Sequence, residues 1–274
     1  MRIIFSAVKK NELLDWLVAN GAQSFLFSYE DKKVFKQVEH LSTYTDKKFI
    51  ILIDSGAFSA WNRGLVINID HYVQFIEKVK KIKTTHEIYF INLDVIPHKK
   101  GTIPTPEQID RACKKGIENY FYIKDKGHST IHTFHQFESF DFLRFIVEHC
   151  NDLNYIGISP ANDQSVESRN EWLKTIYNEL KTDVRTHVLG LTAKDSLEKF
   201  PCYSADSSSW INVGRFGELF DYDELEKIPK KNLNKNNLQY FDPNTDFHEA
   251  FKYYLNLEKY ITDLWTTRGI KWKN

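Results

Sequence analysis

Three aspartates of the sequence stand where they could carry out chemistry, directly after apolar runs that are typical of buried β-strands. Asp54 follows Phe49-Ile50-Ile51-Leu52-Ile53, and Asp94 and Asp206 follow two later runs. A single aspartate in this position is commonly a helix cap or a turn residue. Three in equivalent positions favour a shared site, in which one carboxylate attacks a carbon or stabilises positive charge while another transfers a proton. Such carboxylates suit the acetal-like carbon of an O-glycosidic or N-glycosidic bond.

The histidines and cysteines do not have the spacing of a metal centre. His132 and His135 are an odd number of residues apart on a strand-like run, so their side chains point to opposite faces and make a poor metal pair. His135 by itself is interpreted as a hydrogen-bonded structural residue. Cys113, Cys150 and Cys202 are far apart and form no Cys-x-x-Cys pair, which indicates three buried thiols. The sequence therefore predicts neither a metal nor a cofactor.

The elements that position the aspartates alternate between strands and helices. Residues with helical spacing, such as Tyr72, Phe75, Ile76 and Val79, separate the strand-like runs. Eight runs are predicted as strands: Ile3 to Val8, Ser24 to Ser28, Phe49 to Ile53, Ile88 to Leu93, Thr130 to His135, Tyr155 to Ser159, Val184 to Leu189 and Cys202 to Ala205. Eight βα units favour a (β/α)8 TIM barrel, in which catalytic groups lie at the carboxyl ends of the strands.

An open doubly wound sheet is the alternative architecture. It would usually have a glycine-rich turn after its first strand, whereas Lys9-Lys10-Asn11-Glu12 follows here. We therefore predict a barrel domain over residues 1–218. Residues 219–274 are predicted to form a helical lid or extension packed on the barrel, with the segment from Leu219 onward interpreted as helical. Aromatic residues that would dock its final helix return near the carboxyl terminus, at Phe251, Tyr253, Tyr254, Tyr260 and Trp265.

Composition limits the partners of the chain. The 37 Lys and Arg residues balance 37 Asp and Glu residues, so any nucleic-acid binding must come from a local patch. No apolar run approaches the ~20 residues of a membrane-spanning helix, and the amino terminus lacks the pattern of a secretory signal. The sequence predicts a cytoplasmic protein without a membrane partner.

Several motifs, taken in order, resemble those of the tRNA-guanine transglycosylase superfamily, particularly its short, zinc-free phage and bacterial members. The resemblance runs from about Phe49 to Glu218. Its motifs are DSGAF at Asp54 to Phe58, NLDVI at Asn92 to Ile96, FHQ at Phe134 to Gln136, YIGIS at Tyr155 to Ser159, HVLGL at His187 to Leu191 and ADSSSW at Ala205 to Trp210. Those relatives act on DNA. They insert 7-deazaguanine bases or excise modified bases from phage genomes, the latter as antiphage defence.

The resemblance implies a role for each matching residue. Asp206 matches the nucleophile that attacks C1′ of the sugar and forms a covalent glycosyl-enzyme, and Asp54 matches the acid or base beside it. Asp94 and Gln136 match residues that hydrogen-bond the base. The remaining matches line the base pocket: Ser55, Phe58, Gly157, Ser159 and Leu191. Gly56 would let the backbone approach the ligand closely.

The chain also departs from the family in ways that bear on the substrate. It lacks the Cys/His zinc subdomain of the tRNA enzymes, so the resemblance favours DNA over tRNA as the substrate. The target nucleotide would be flipped out or single-stranded. Phe137 and Ser159-Pro160 stand where guanine exchangers tend to have glycines. Candidate phosphate contacts are Lys81, Lys83, Arg215, Lys230 and Lys231.

The fate of the glycosyl-enzyme stays open at this point. Water would make the protein an excision glycosylase, and a free 7-deazaguanine base would make it a transglycosylase. Three alternatives remain: a tRNA-guanine transglycosylase, a sugar O-glycosidase, which would usually have Glu as well as Asp at the strand ends, and a non-catalytic nucleic-acid-binding relative, which would have lost a key aspartate.

Overall fold

The computed structural model describes residues 1–97, 102, 104–161, 163–180, 183–211, 218–221, 224–229 and 246–272. Eight parallel strands form one sheet: β1 (Arg2–Phe5), β2 (Ser24–Ser28), β3 (Ile50–Asp54), β4 (Glu87–Phe90), β5 (Thr133–His135), β6 (Tyr155–Ser159), β7 (Arg185–Val188) and β8 (Ser204–Ser207). These strands confirm the eight predicted runs, with boundaries moved by a few residues.

The sheet is curled, with the order β4-β3-β2-β1-β8-β7-β6-β5. β1 pairs with β8, so the first and last strands of the chain lie side by side at its centre. A parallel bridge joins Ile91, just after β4, to Ile131, just before β5. Because this bridge brings the two edge strands together, the fold is TIM-barrel-like.

Helices follow the strands, as alternating βα units require. They are α1 (Asn11–Ala19), α2 (Val34–Leu41), α3 (Ala57–Asn62), α4 (Ile69–Lys80), α5 (Pro106–Asp125), α6 (Phe140–His149), α7 (Val166–Glu179), α8 (Lys194–Leu197) and α9 (Asp246–Thr267). Side-chain caps start several of them, for example Asn68 for α4 and a Thr105/Gln108 capping box for α5. None of the described helices is long and apolar enough to cross a membrane.

The interior of the curled sheet contains its own apolar cluster. This cluster is separate from the main core, which lies between the sheet and the helices. Six buried residues form it: Ile4, Leu52, Ile91, Ile131, Tyr155 and Tyr203. Side chains on a strand alternate between faces, so residues two positions further on face the same interior. Leu52 is followed in this way by Asp54, and Tyr155 by Gly157 and then Ser159. The interior therefore changes from apolar to polar toward the carboxyl ends of the strands.

The segment after residue 218 begins differently from the prediction. β9 (Glu218–Asp221) and β10 (Glu226–Pro229) form an antiparallel hairpin, so Leu219 starts no helix. The side chain of Asp221 accepts a hydrogen bond from the backbone of Glu224 at 3.0 Å, and Leu225 has a φ of 54°. The helical interpretation was wrong because it overlooked this turn chemistry, which favours a hairpin.

The carboxyl-terminal helix α9 is present, as predicted. Phe251 packs on Phe5 and Trp16, with ring centroids 4.9 and 5.1 Å apart. Glu258 accepts a hydrogen bond from the backbone of Ile3 at 2.6 Å. Tyr253 and Tyr254 are also buried, whereas Tyr260 is 38% exposed. The buried face of α9 belongs to the same core as the strands, so this helix completes the outer layer of the fold.

All three cysteines are free thiols in the core. Burial raises the pKa of Cys150 and that of Cys202 to about 12. Burial, together with the nearby carboxylate of Glu138, raises the pKa of Cys113 further. The interpretation of Cys113, Cys150 and Cys202 as buried thiols is confirmed.

Candidate active site

Asp54 and Asp206 lie at the carboxyl ends of two strands, at the same edge of the sheet. Asp54 is the last residue of β3, and Asp206 lies in β8 opposite Ile4 of β1. Asp206 is 9% exposed, and the side chain of Asp94 in the loop after β4 is 13% exposed. The structure brings the three predicted aspartates together at this edge, since Asp94 and Asp206 both act on the charge of Asp54.

Asp54 is surrounded by groups that oppose its ionisation. Burial, aided by the carboxylates of Asp94 and Asp206, raises the pKa of Asp54 from 3.8 to about 7. Backbone hydrogen bonds from Gly56 and Ser55 partly offset this rise. The Gly56 N–H lies 3.0 Å from Oδ2 of Asp54. Near neutral pH, Asp54 can therefore both donate and accept a proton.

One oxygen of Asp206 is held by its surroundings. Oδ1 accepts a hydrogen bond from the backbone N–H of Gly190 at 2.9 Å and lies 3.5 Å from Nε2 of His187. Among the residues that the structure describes, none donates to Oδ2. The carboxylate thus has one oxygen fixed by β7 and its following loop and one oxygen free.

His187 is a candidate site residue to which the sequence analysis gave no role, although it begins the HVLGL motif. It is fully buried in β7, and its Nδ1 lies 2.7 Å from Oγ of Ser204. The hydroxyl of Tyr155 lies 2.5 Å from the same Oγ. His187 pairs with Ser204 and Gly157 across the sheet, so these residues share a layer. The alternation along β7 could have indicated an inward imidazole one layer below Asp206.

Asp94 lies against a histidine that a second carboxylate holds in place. Nε2 of His135 lies 3.3 Å from Oδ2 of Asp94, and Nδ1 lies 2.9 Å from Oε1 of Glu138. The other oxygen of Glu138 accepts a hydrogen bond from the backbone N–H of His135 at 3.0 Å. The interpretation of His135 as a hydrogen-bonded residue is confirmed. Glu138 was missed because it lies in a loop, three residues after the histidine.

An imidazole between two carboxylates must carry two protons to donate to both of them. Burial opposes a charge on His135, but the carboxylates of Glu138 and Asp94 outweigh burial and raise the pKa of His135 well above its usual value. Burial alone would raise the pKa of Glu138, but the charge and hydrogen bonds of His135 lower it. The cluster is therefore an imidazolium between two carboxylates. His132, directly before β5, instead has its Nδ1 3.0 Å from the side-chain nitrogen of Asn92.

Gln136 is engaged within the protein on both ends of its amide. Its Oε1 accepts a hydrogen bond from the backbone of Ala161 at 2.9 Å, and its Nε2 lies 3.4 Å from Oγ of Ser168. Its backbone N–H donates to the carbonyl of Ser159 at 3.0 Å. Gln136 thus ties the loop after β5 to the loop after β6. Ser159 and Gly157 lie on β6 beside it, and Leu191 is buried in the loop after β7.

The structure explains Gly56 by contacts within the protein. Its φ is +77°, and an added Cβ would lie 2.5 Å from Cγ of Glu30. Glu30 in turn pairs with Arg63 at the end of α3. At Gly157, an added Cβ would lie 2.6 Å from Oγ1 of Thr133. Both glycines are therefore required by packing within the protein.

Two phenylalanine side chains are exposed at this edge, one on a short helix and one on a loop. Phe58 of α3 is 58% exposed, and Phe137 after β5 is 56% exposed. Phe137 also has a φ of 81°, a conformation that costs a bulky residue energy. An exposed aromatic ring in a strained backbone, directly after Gln136, marks this loop as a candidate contact for a ligand.

Several buried polar atoms near the aspartates have no partner among the described residues. They are Oγ of Ser28, which lies opposite Asp54, Oγ of Ser55, Oγ1 of Thr133 and Nε2 of His187. Buried polar groups are normally hydrogen-bonded, so a concentration of unpaired ones indicates a place for a polar ligand or water.

Lys81 and Lys83 lie away from this site. They follow α4 and precede β4, whose first residue, Glu87, pairs with the first residue of β3, Ile50. The two lysines are therefore at the amino-terminal edge of the sheet, opposite the aspartates. A cavity of about 560 Å³ lies at that same edge. Arg215, Lys230 and Lys231 lie outside the described residues.

Comparison with known proteins adds no assignment, since neither a family model nor a curated protein matches the chain. Within the described ranges, no three His, Cys, Asp or Glu side chains are grouped as metal ligands would be. The interpretation of the site therefore depends on its geometry and on the sequence motifs.

Proposed function

We propose that this protein is an N-glycosidic-bond enzyme of the tRNA-guanine transglycosylase type, built on a (β/α)8 barrel and acting on a base in DNA. Asp206 attacks C1′ of the sugar, and the base leaves with a proton from Asp54. The observation that carries the proposal is the grouping of Asp54, Asp94 and Asp206 at one edge of the sheet, where burial and the two neighbouring carboxylates raise the pKa of Asp54 to about 7. Neighbouring carboxyl groups in different protonation states are how enzymes separate an acid from a nucleophile.

Asp206 and Asp54 together are sufficient for the first step, in which the glycosyl-enzyme forms and the base leaves. Oδ2 of Asp206 forms a bond to C1′ while the C1′–N bond breaks and its electron pair moves to the base. Asp54 protonates the base and becomes a carboxylate. Asp54 then removes a proton from the water that attacks C1′, or the ring N–H proton of a free 7-deazaguanine base that attacks in its place. The bond from C1′ to Oδ2 breaks, and its electron pair returns to the carboxylate of Asp206.

Asp94 suits recognition of the base. With His135 donating to Oδ2, the other oxygen of Asp94 remains as an acceptor. An acceptor at this position favours a base that presents N–H donors on its Watson–Crick edge, such as guanine, or in part cytosine. The unpaired hydroxyls of Ser55 and Ser28 and the exposed rings of Phe58 and Phe137 are available for further contacts.

Exposed lysines on the same edge as the site support a nucleic-acid partner. Lys9 and Lys10 lie between β1 and α1, and Lys32 and Lys33 lie between β2 and α2. None of these four pairs with an acid in the described part of the chain. They are better placed for phosphates near the aspartates than Lys81 and Lys83 are. A base in a duplex must be flipped out to reach the site.

A sugar O-glycosidase is the second candidate, because Glu138 does lie beside the aspartates. Both of its oxygens, however, are engaged by the backbone and ring of His135, at 3.0 and 2.9 Å. Glu138 is thus less suited to protonate a leaving group than Asp54. A non-catalytic relative is disfavoured because Asp54, Asp94 and Asp206 are all present.

The test is mass spectrometry of the bases released from modified phage DNA and from unmodified DNA, each with and without free 7-deazaguanine. Release without the added base indicates excision, and release only with it indicates exchange. Asp206→Asn is the matched control. It should lower turnover by at least about 10³-fold at unchanged thermal stability, because it removes the nucleophile with little change in volume. Full activity of Asp206→Asn, or no released base from any DNA, would overturn the proposal; a tRNA substrate would then be tested in the same assay.

A further inference from the structure

The two oxygens of Asp206 differ in their surroundings, and β7 causes the difference. Oδ1 receives the Gly190 N–H at 2.9 Å and faces Nε2 of His187 at 3.5 Å. At 3.5 Å the histidine contact is longer than a full hydrogen bond, and catalytic contacts of this kind often shorten only when substrate binds. Nε2 has no other acceptor among the described residues.

Which ring nitrogen of His187 carries the proton follows from the hydrogen bonds of Ser204 and Tyr155 on the Nδ1 side of the ring. Tyr155 is fully buried, and its hydroxyl has Ser204 as its acceptor at 2.5 Å. Ser204 then has one proton to give, and the atom that can accept it is Nδ1 of His187 at 2.7 Å. With Nδ1 as acceptor, the ring proton must be on Nε2, facing Asp206.

The opposite direction of these hydrogen bonds, from His187 to Ser204 to Tyr155, leaves more buried polar groups without a partner. If Nδ1 donated to Ser204 and Ser204 donated to Tyr155, the buried Tyr155 proton would have no acceptor among the described residues. The lone pair of Nε2 would then face the carboxylate of Asp206. Both consequences are unfavourable in a buried site. The hydrogen-bond network therefore assigns one tautomer to His187.

We propose that His187, held by Ser204 and Tyr155, is a positioning residue that directs an N–H at Oδ1 of Asp206 and so leaves Oδ2 as the attacking atom. The inference deepens the proposed function, on which it rests. In the glycosyl-enzyme, Oδ2 carries the sugar and Oδ1 becomes the ester carbonyl, which Gly190 and His187 continue to hold. When water or a base takes the sugar, the bond to Oδ2 breaks and its electron pair returns to the carboxylate.

The experiment compares two substitutions of His187 that differ in where they place an amide. His187→Gln puts a side-chain N–H near the position of Nε2, whereas His187→Asn puts it near Nδ1 and leaves Oδ1 of Asp206 without this donor. For His187→Asn we expect kcat for base release to fall by roughly 10- to 100-fold with KM changed little, because the lost contact acts on the nucleophile. His187→Gln should recover most of that loss.

Ser204→Ala provides a second route to the same answer if His187→Asn does not fold. It removes the proton donor to Nδ1, so the ring is no longer held in one tautomer, and kcat should fall by roughly tenfold. Rates are compared per folded molecule, with circular dichroism and melting temperature measured for each variant. A purely structural role would lower the melting temperature but leave kcat per folded molecule unchanged. His187→Gln and His187→Asn would then have the same kcat per folded molecule.

Two failures are distinguishable. If the wild-type protein releases no base from any nucleic acid, the proposed function fails. If the wild type is active and His187→Asn, His187→Gln and Ser204→Ala all match it, the inference about His187 is wrong while the proposed function stands.

Discussion

Nε2 of His135 lies 3.3 Å from Oδ2 of Asp94, so the histidine occupies one carboxylate oxygen and leaves the other as an acceptor. Glu138 holds the far side of the same ring at 2.9 Å. The orientation of the Asp94 carboxylate is therefore held by contacts within the protein. Because of this contact, the direction in which Asp94→Asn shifts base preference can be predicted.

Asp94→Asn should shift the choice of base. The amide oxygen should turn to His135, which donates, and the amide nitrogen should then face the base. A base that presents an N–H donor would meet another donor, so its rate should fall by roughly 10- to 100-fold relative to a base that presents an acceptor. The measurement is a competition among oligonucleotides carrying different natural and modified bases. If every substrate falls by the same factor, Asp94 belongs with the catalytic pair.

Asp54→Asn should change the dependence of stability on pH. Asp54 has a folded pKa of about 7, above its ordinary value of 3.8. Below pH 3.8 the carboxyl group is protonated in both states and costs nothing. As pH rises toward 7, the unfolded chain ionises first, so the folded state loses stability, by on the order of a few kcal/mol in total. Asp54→Asn lacks this loss and should be more stable than the wild type at pH 8, but not at pH 3.5.

The measurement is urea unfolding of the wild type and Asp54→Asn across that pH range, together with the activity of the wild type. If Asp54 is the acid, wild-type base release should decline on the alkaline side with an apparent pKa near 7. Parallel stability curves for the two proteins would show that Asp54 is not the group with the raised pKa.

The lysines between β1 and α1 and between β2 and α2 should dominate the salt dependence of binding. Replacement of Lys9, Lys10, Lys32 and Lys33 by Gln should reduce the slope of log affinity against log salt by roughly 3, since each lost phosphate contact accounts for about 0.7 to 0.9. The matched control is the Lys81→Gln, Lys83→Gln double variant at the opposite edge of the sheet, which should keep the wild-type slope. The reverse result would place the nucleic acid at the amino-terminal edge.

Phe137→Gly should separate stability from function. The φ of 81° is unstrained for glycine, and little burial is lost because the ring is 56% exposed. The melting temperature should stay the same or rise, corresponding to a gain of up to about 1 kcal/mol, while affinity for an oligonucleotide substrate should fall. Phe145→Ala, a change at a 37% exposed ring on α6, serves as a control that should leave affinity unaffected. A Phe137→Gly protein with lower stability and full affinity would contradict a role in binding.

The sequence predicted the eight strands and the three aspartates because both depend on local features, an apolar run and the polar residue that ends it. It gave no role to Glu138 or His187, because each makes a contact that only the packed sheet creates. Glu138 reaches back to His135 from a loop, and His187 is buried one layer below Asp206. Lys81 and Lys83 were predicted from charge alone, although the antiparallel direction of helix and strand within a βα unit already places the end of α4 far from the carboxyl ends.

The burial of Cys113, Cys150 and Cys202 makes the native protein slow to react with alkylating reagents, because so little of each thiol is present as thiolate near neutral pH. A cysteine introduced at Val66, a 95% exposed position between α3 and α4, would therefore be labelled far faster than the three natural ones. A fluorophore attached there would stand on the loop after α3, within the connection from the Asp54 strand to α4. Its emission could report the arrival of an oligonucleotide in real time without removal of any natural cysteine.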